Sequence, residues 1–169
     1  MITAAILVIF PLCLAVAAFS DMLTMTIPNR VSLLLLLSFP LIAPFAGLTI
    51  PEIGMHFAAG LMVFMVVFAF FALNIMGGGD AKLLASSAIW FGFHPSLFEY
   101  MVYVGLLGGG LTFMLLAVRA HSNTILAMGL PVPTPILLAK KVPYGIAIGL
   151  GGVLAFPSSP LVQIILQPY

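Results

Sequence analysis

The sequence predicts an all-α polytopic membrane protein of about six transmembrane helices, and three observations carry that reading. Hydrophobic residues make up 63% of the chain and charged residues only 5%, with a mean hydropathy of +1.31. A soluble chain keeps its surface wet with roughly 25% charge. Apolar stretches recur at lengths suited to crossing roughly 30 Å of hydrocarbon at 1.5 Å per residue. All five basic residues (Arg30, Lys82, Arg119, Lys140, Lys141) fall in alternate connections, and the opposite connections hold Glu52 and Glu99. Lysine and arginine mark the cytoplasmic side. Both chain ends are therefore expected outside, with residues 1–169 forming one transmembrane domain. The formal charge of +1 says nothing about nucleic acid, but no basic patch exists to bind a phosphate backbone, so no nucleic-acid partner is expected.

The first element, Ile2–Phe19, has the apolarity of a signal-peptide core. It lacks a basic region before it and a small-x-small site after it, so it is expected to be retained as span one. In the following Ser20–Arg30 connection, Pro28 holds Ile27 extended and breaks the helix. Span two runs from Val31 to Gly47, with Pro40 and Pro44 expected to bend it. Leu48–Ile53 forms a turn, and Gly54–Leu73 is a nearly uninterrupted apolar third span. The fourth, Lys82–Phe93, is short for a crossing and must be tilted, extended or shielded by its neighbours. Gly92–Ser96 turns the chain into span five, Leu97–Val118, whose Gly105–Gly110 run allows close helix approach or bending. In the Arg119–Lys141 connection, Thr124–Leu130 is apolar enough to lie along the interface. Val142–Phe156 is span six, and Pro157–Tyr169 is an interfacial segment or a packed end.

The chain holds only two aspartates, Asp21 and Asp80, each just past an apolar stretch. Ionisable residues beside lipid are costly and are functional candidates by default. Spans two and three form an out-and-back hairpin, which returns both aspartates to one depth. Two carboxylates close together in a poor dielectric share a proton. One can then take a proton from water while the other donates to a carbonyl oxygen, the logic of aspartic proteases. Gly77 and Gly79 would bring backbone close to a bound strand. Pro28 and Asn29 would fix the start of span two beside Asp21. Lys82 is either a site neighbour or a snorkelling base, and Tyr144 either lines the site or anchors the interface.

Residue spacing alone leaves other readings open. The aspartates could couple protons or cations in a small transporter or channel, although no inverted repeat is visible. They could also be structural locks, Asp80 with Lys82 and Asp21 with Arg30. In a membrane assembly factor packing through Gly105–Gly110 they would be dispensable. Cys13 is the only cysteine, which rules out an internal disulfide. His56, His94 and His121 show no metal-ligand spacing, so neither metal nor cofactor is expected. Trp90, Tyr100 and Tyr103 are expected to pack or to anchor near the outer face.

Asp21 followed by Ile27-Pro28-Asn29, Gly77-x-Gly79-Asp80-x-Lys82-Leu83, and Lys141-Val142-Pro143-Tyr144-Gly145 together resemble the prepilin peptidase family, the GxGD-type membrane aspartic proteases. The likeness runs over nearly the whole chain in the same order. It implies an endopeptidase that removes the basic leader from type IV pilin-like precursors at the cytoplasmic face of the prokaryotic inner membrane. Carried over by position, Asp21 and Asp80 would be the catalytic pair. Longer relatives carry a cysteine-containing cytoplasmic insertion, associated with N-methylation, between the first two spans. This chain has a short connection and no cysteine pair there, so it resembles the short Flp/Tad form, and methyl transfer is not implied. Met22–Thr26 is uncharged where many relatives place basic residues. The implied partners are a pilin-like precursor and the lipid bilayer, with oligomeric state left open.

Overall fold

Every regular element is helical in the computed structural model, which describes residues 2–121 and 142–166. In chain order these are α1 (Ile2–Thr24), α2 (Asn29–Ile42) with a 3-10 turn at Ala43–Ala46, and α3 (Ile50–Ala72). They are followed by α4 (Gly78–Ala88), α5 (Pro95–Ala120), α6 (Tyr144–Ala155), a 3-10 turn at Phe156–Ser158, and α7 (Pro160–Leu166). Among the described residues, four segments are long and apolar enough to cross a membrane: α1, Asn29–Ala46, α3 and α5. α6 with its 3-10 turn and α7 make a pair bent by about 40° that would be a fifth. The chain is a multi-pass membrane protein. Thr124–Leu130, Lys140 and Lys141 lie outside the described residues.

The element that departs most from a simple span is α4. Its 11 residues reach only about 16 Å, too short for a crossing. The shielding allowed for it is what the structure shows. Residues 83–92 are all buried, against α2 and α3 on one side and α6 on the other. α6 packs in turn between α1 and α5. Two short helices thus form the centre, and the long helices around them turn apolar side chains outward, such as Leu12, Leu61 and Phe113. No water-facing surface of that kind is stable, whereas lipid imposes no such cost.

α6 can sit inside because of its glycines. A Cβ at Gly149 would lie 2.9 Å from Ala18 Cβ and 3.0 Å from the Leu14 carbonyl oxygen, and one at Gly151 would lie 3.0 Å from the Val104 backbone nitrogen. The expectation for Gly105–Gly110 changes accordingly. Among the described residues, only Gly108 of that run meets neighbours, Tyr144 foremost, while Gly105, Gly109 and Gly110 face open space. Gly149→Ala is therefore expected to destabilise the protein by about 1–3 kcal/mol through overpacking. Gly105→Ala should instead stabilise it by roughly 0.5–1 kcal/mol through helix propensity. Thermal unfolding in detergent reads both, and equal effects would contradict this packing.

About three turns along α4 from the glycine run, an aromatic cluster closes the other end of the bundle. Phe10 stacks on Phe156 at 4.5 Å and tilts against Trp90 at 5.2 Å, and Phe91 stacks on Tyr100 at 4.7 Å. Trp90 Nε1 donates to the Leu35 carbonyl at 3.1 Å, and Tyr100 shares a 2.7 Å hydrogen bond with Ser87. Trp90 and Tyr100 are both fully buried. Tyr100 is thus a core residue with a satisfied hydroxyl rather than the interfacial anchor its type suggested. α3 begins at this end, four residues before its expected start at Gly54. Thr49 N–H and Oγ1 both donate to Glu52 Oε2 at 2.7 Å, a capping box that extends the helix through Pro51.

Candidate active site

At the opposite end, the last turn of α1, the α1–α2 turn, the α3–α4 turn and the start of α6 come together. α1 continues past its expected end at Phe19 to Thr24, so Asp21 lies on the helix. The chain turns only at Met25, whose φ of +53° is left-handed, a conformation that costs a non-glycine residue roughly 1–3 kcal/mol. Hydroxyls hold that turn. Ser20 Oγ donates to the Thr26 carbonyl and Thr24 Oγ1 to the Ser20 carbonyl, both at 2.9 Å, and Thr24 and Thr26 share a 2.7 Å contact.

Asp21 is only 4% exposed. Its Oδ2 accepts a 2.8 Å hydrogen bond from the backbone N–H of Gly145, the second residue of α6. The first N–H groups of a helix have no intrahelical partner, and here one of them satisfies the buried carboxylate. The approach requires glycine, because a Cβ at position 145 would lie 2.8 Å from both Asp21 Cβ and Oδ2.

Asp80 stands in the first turn of α4, half-buried. Gly77 and Gly79 admit it differently. A Cβ at Gly77 would meet Asp80 Oδ2 at 2.7 Å, and one at Gly79 would meet Ile27 Cβ at 3.3 Å. The first glycine leaves room for the carboxylate, and the second lets α4 start against the α1–α2 turn. Sequence reasoning placed the glycines before the helix. Gly78 and Gly79 are in fact its opening residues, with Gly77 extended ahead of them.

Both aspartates line one cavity of about 250 Å³, walled by Met25–Ile27, Asn29, glycines 77–79 and Val142. That far exceeds the ~10–15 Å³ one water needs. Asn29, exposed at the start of α2, forms part of the wall, and Pro28 precedes it as the extended capping residue. Lys82 does not line this cavity. Its Nζ donates to Asn29 Oδ1 at 3.2 Å, tying the first turn of α4 to the start of α2, and it faces a neighbouring groove. Tyr144 does not line it either; its ring packs against Gly108 and its hydroxyl lies 3.4 Å from Thr112 Oγ1. Beyond the expected residues, Met25, Thr26, Ile27, Gly78 and Val142 line the cavity and Gly145 holds Asp21. Gly145 had a signal, since it closes the Pro143-Tyr144-Gly145 motif. Met25 and Thr26 had none, because nothing in a short uncharged turn shows that it folds over a cavity.

A polar cavity with two carboxylates and space for water can perform general acid–base chemistry on a bond delivered to it. Among the described residues no three histidine, cysteine, aspartate or glutamate side chains converge as metal ligands would. A family model described as the type IV leader peptidase family matches residues 8–165. Comparison with curated proteins and with solved structures returned no match.

Proposed function

Because this chain belongs to the type IV leader peptidase family, aspartic proteases acting on type IV pilin-like leader sequences, we propose that Asp21 and Asp80 are its catalytic pair. The observation that carries this reading is their meeting in one cavity from helices α1 and α4, 59 residues apart in sequence. One carboxylate takes a proton from a water as that water attacks the scissile carbonyl. The other, protonated, donates to the carbonyl oxygen and stabilises the charge developing there. Collapse of the tetrahedral intermediate breaks the C–N bond, and the proton passes to the leaving amine. Gly145 positions Asp21, Gly77 and Gly79 position Asp80, and Pro28 and Asn29 set the cavity mouth. Lys82 acts through Asn29, and Tyr144 acts by seating α6 on α5.

The substrate is a Flp-type precursor, a short basic leader followed by a long apolar helix. Such a helix can lie in lipid while its junction with the leader reaches the cavity. The four-residue turn Met25–Pro28 between α1 and α2 supports the short form of the family, without the cytoplasmic insertion. The cavity end faces the cytoplasm from the inner membrane. Arg30 and Lys82 lie at this end, and Glu52 and Glu99 near the starts of α3 and α5 at the other.

One experiment tests side and activity together. Exposed Ile75→Cys, near the cavity, and Ile50→Cys, at the far end, are treated with an impermeant maleimide in intact cells and in inverted vesicles. Ile75→Cys should label only in inverted vesicles and Ile50→Cys only in intact cells. Inverted vesicles should also cut an added leader-bearing precursor once, at the leader–helix junction. Labelling on the reverse sides overturns the orientation, and absence of cleavage with correct labelling overturns the peptidase reading of this site.

A further inference from the structure

A second concavity lies between α2, α3 and α4, beside the candidate active site but distinct from it. It measures about 530 Å³. Its length is lined by apolar side chains, Leu33, Leu36, Phe57, Leu61 and Phe64 among them, and one end carries Arg30, Lys82 and Asn29. Among the described residues no carboxylate lines it. Two cations thus close one end of a largely apolar groove, whose other polar side chains are Asn29, Ser32 and Ser86. The cationic end is formed by the first turns of α2 and α4, whose N-termini add positive partial charge.

We propose that this groove binds an anionic phospholipid, with an acyl chain along α2 and α3 and the phosphate between Arg30 and Lys82. Charge and size both favour that occupant. A basic pocket between transmembrane helices is the chemistry that holds an anionic headgroup. A basic leader would instead be repelled by the same two side chains. An acyl chain is a thin flexible cylinder, and a groove of about 530 Å³ holds one along its apolar length. The bound lipid would also reach the active-site region. Lys82 is hydrogen-bonded to Asn29, and Asn29 lines both the groove and the cavity. A phosphate on Lys82 therefore braces the junction between the starts of α2 and α4, next to Asp80. The inference rests on membrane residence and on this groove, not on the chemistry of the two aspartates.

The test is native mass spectrometry of the purified full chain, in wild type and in cleavage-dead Asp80→Asn. The protein is equilibrated with phosphatidylglycerol or phosphatidylcholine of identical chains. Phosphatidylglycerol should be retained preferentially, by roughly tenfold or more, and equally in both proteins. Arg30→Gln with Lys82→Gln should abolish the preference while leaving weak retention of either lipid. Leu33→Trp with Leu61→Trp, both at exposed positions, should fill the apolar portion and remove retention of both. Equal retention of the two lipids by wild type, or an unchanged preference in the glutamine variant, overturns the proposal. Displacement of the lipid by inorganic phosphate would mark a simple anion site. Displacement by a leader-free apolar helix would mark a substrate dock, and either result also overturns it.

Discussion

Asp21→Asn and Asp80→Asn each reduce precursor cleavage by roughly 10³-fold or more, and the double variant loses no more than either single one. Asparagine has nearly the volume of aspartate, and its carbonyl oxygen still accepts a hydrogen bond. Asp21→Asn can therefore keep the Gly145 N–H contact, made at 2.8 Å in the native protein, so the bundle remains folded. What it loses is the exchangeable proton. General acid–base assistance contributes about 10²–10⁴-fold for a single positioned group. Members of a constellation that acts as a unit lose activity non-additively. The falls should appear in kcat, with precursor binding nearly unchanged, because neither substitution closes the cavity. Thermal unfolding of the same preparations separates lost chemistry from lost fold. A variant that stays folded and retains cleavage would remove its aspartate from the pair.

The second large effect is expected at a residue with no chemistry of its own. Gly145→Ala should lower kcat by about 10²-fold, the penalty attached to an error of roughly 1 Å in a catalytic group. The added methyl would lie 2.8 Å from Asp21 Cβ as well as from Oδ2. Rotating the Asp21 side chain does not relieve the first of these contacts, because Cβ is fixed by the α1 backbone. Either α6 withdraws and the N–H contact to Asp21 is lost, or the last turn of α1 moves. Both displace the carboxylate in the cavity. Gly109→Ala, which places its methyl in open space on α5, is the matched control and should retain full activity. Equal activity in the two variants would show that the Gly145–Asp21 contact does not position the site.

The sequence was most legible where polar residues interrupt an apolar chain. Asp21 and Asp80 stand out because lipid-facing helices rarely carry aspartate, Gly77 and Gly79 because they lead directly into one of them, and the structure brings all four to one cavity. The helical class and the apolar character of the longest spans were legible for the same reason. Helix ends were less so. α1 runs past Phe19 because Ser20 and Thr24 satisfy backbone groups locally, which a hydropathy boundary cannot register. α3 starts early because the Thr49–Glu52 box caps it across a proline. Tertiary partners were the least legible. Nothing in the spacing shows that Lys82 turns to Asn29, that Tyr144 packs on Gly108, or that Gly145 donates to Asp21. Each of these contacts joins segments between 36 and 124 residues apart.

If two carboxylates from separate helices act on a single water, a bound mimic of the tetrahedral intermediate must engage both. The structure to determine is that of the full chain with a leader-bearing peptide whose scissile amide is replaced by a hydroxyl-bearing tetrahedral carbon. This hydroxyl should lie within hydrogen-bond reach, about 2.6–3.2 Å, of both the Asp21 and the Asp80 carboxylates, with the Gly145 contact kept. A hydroxyl held by one aspartate alone, or by neither while the leader is fully bound, would contradict that pairing.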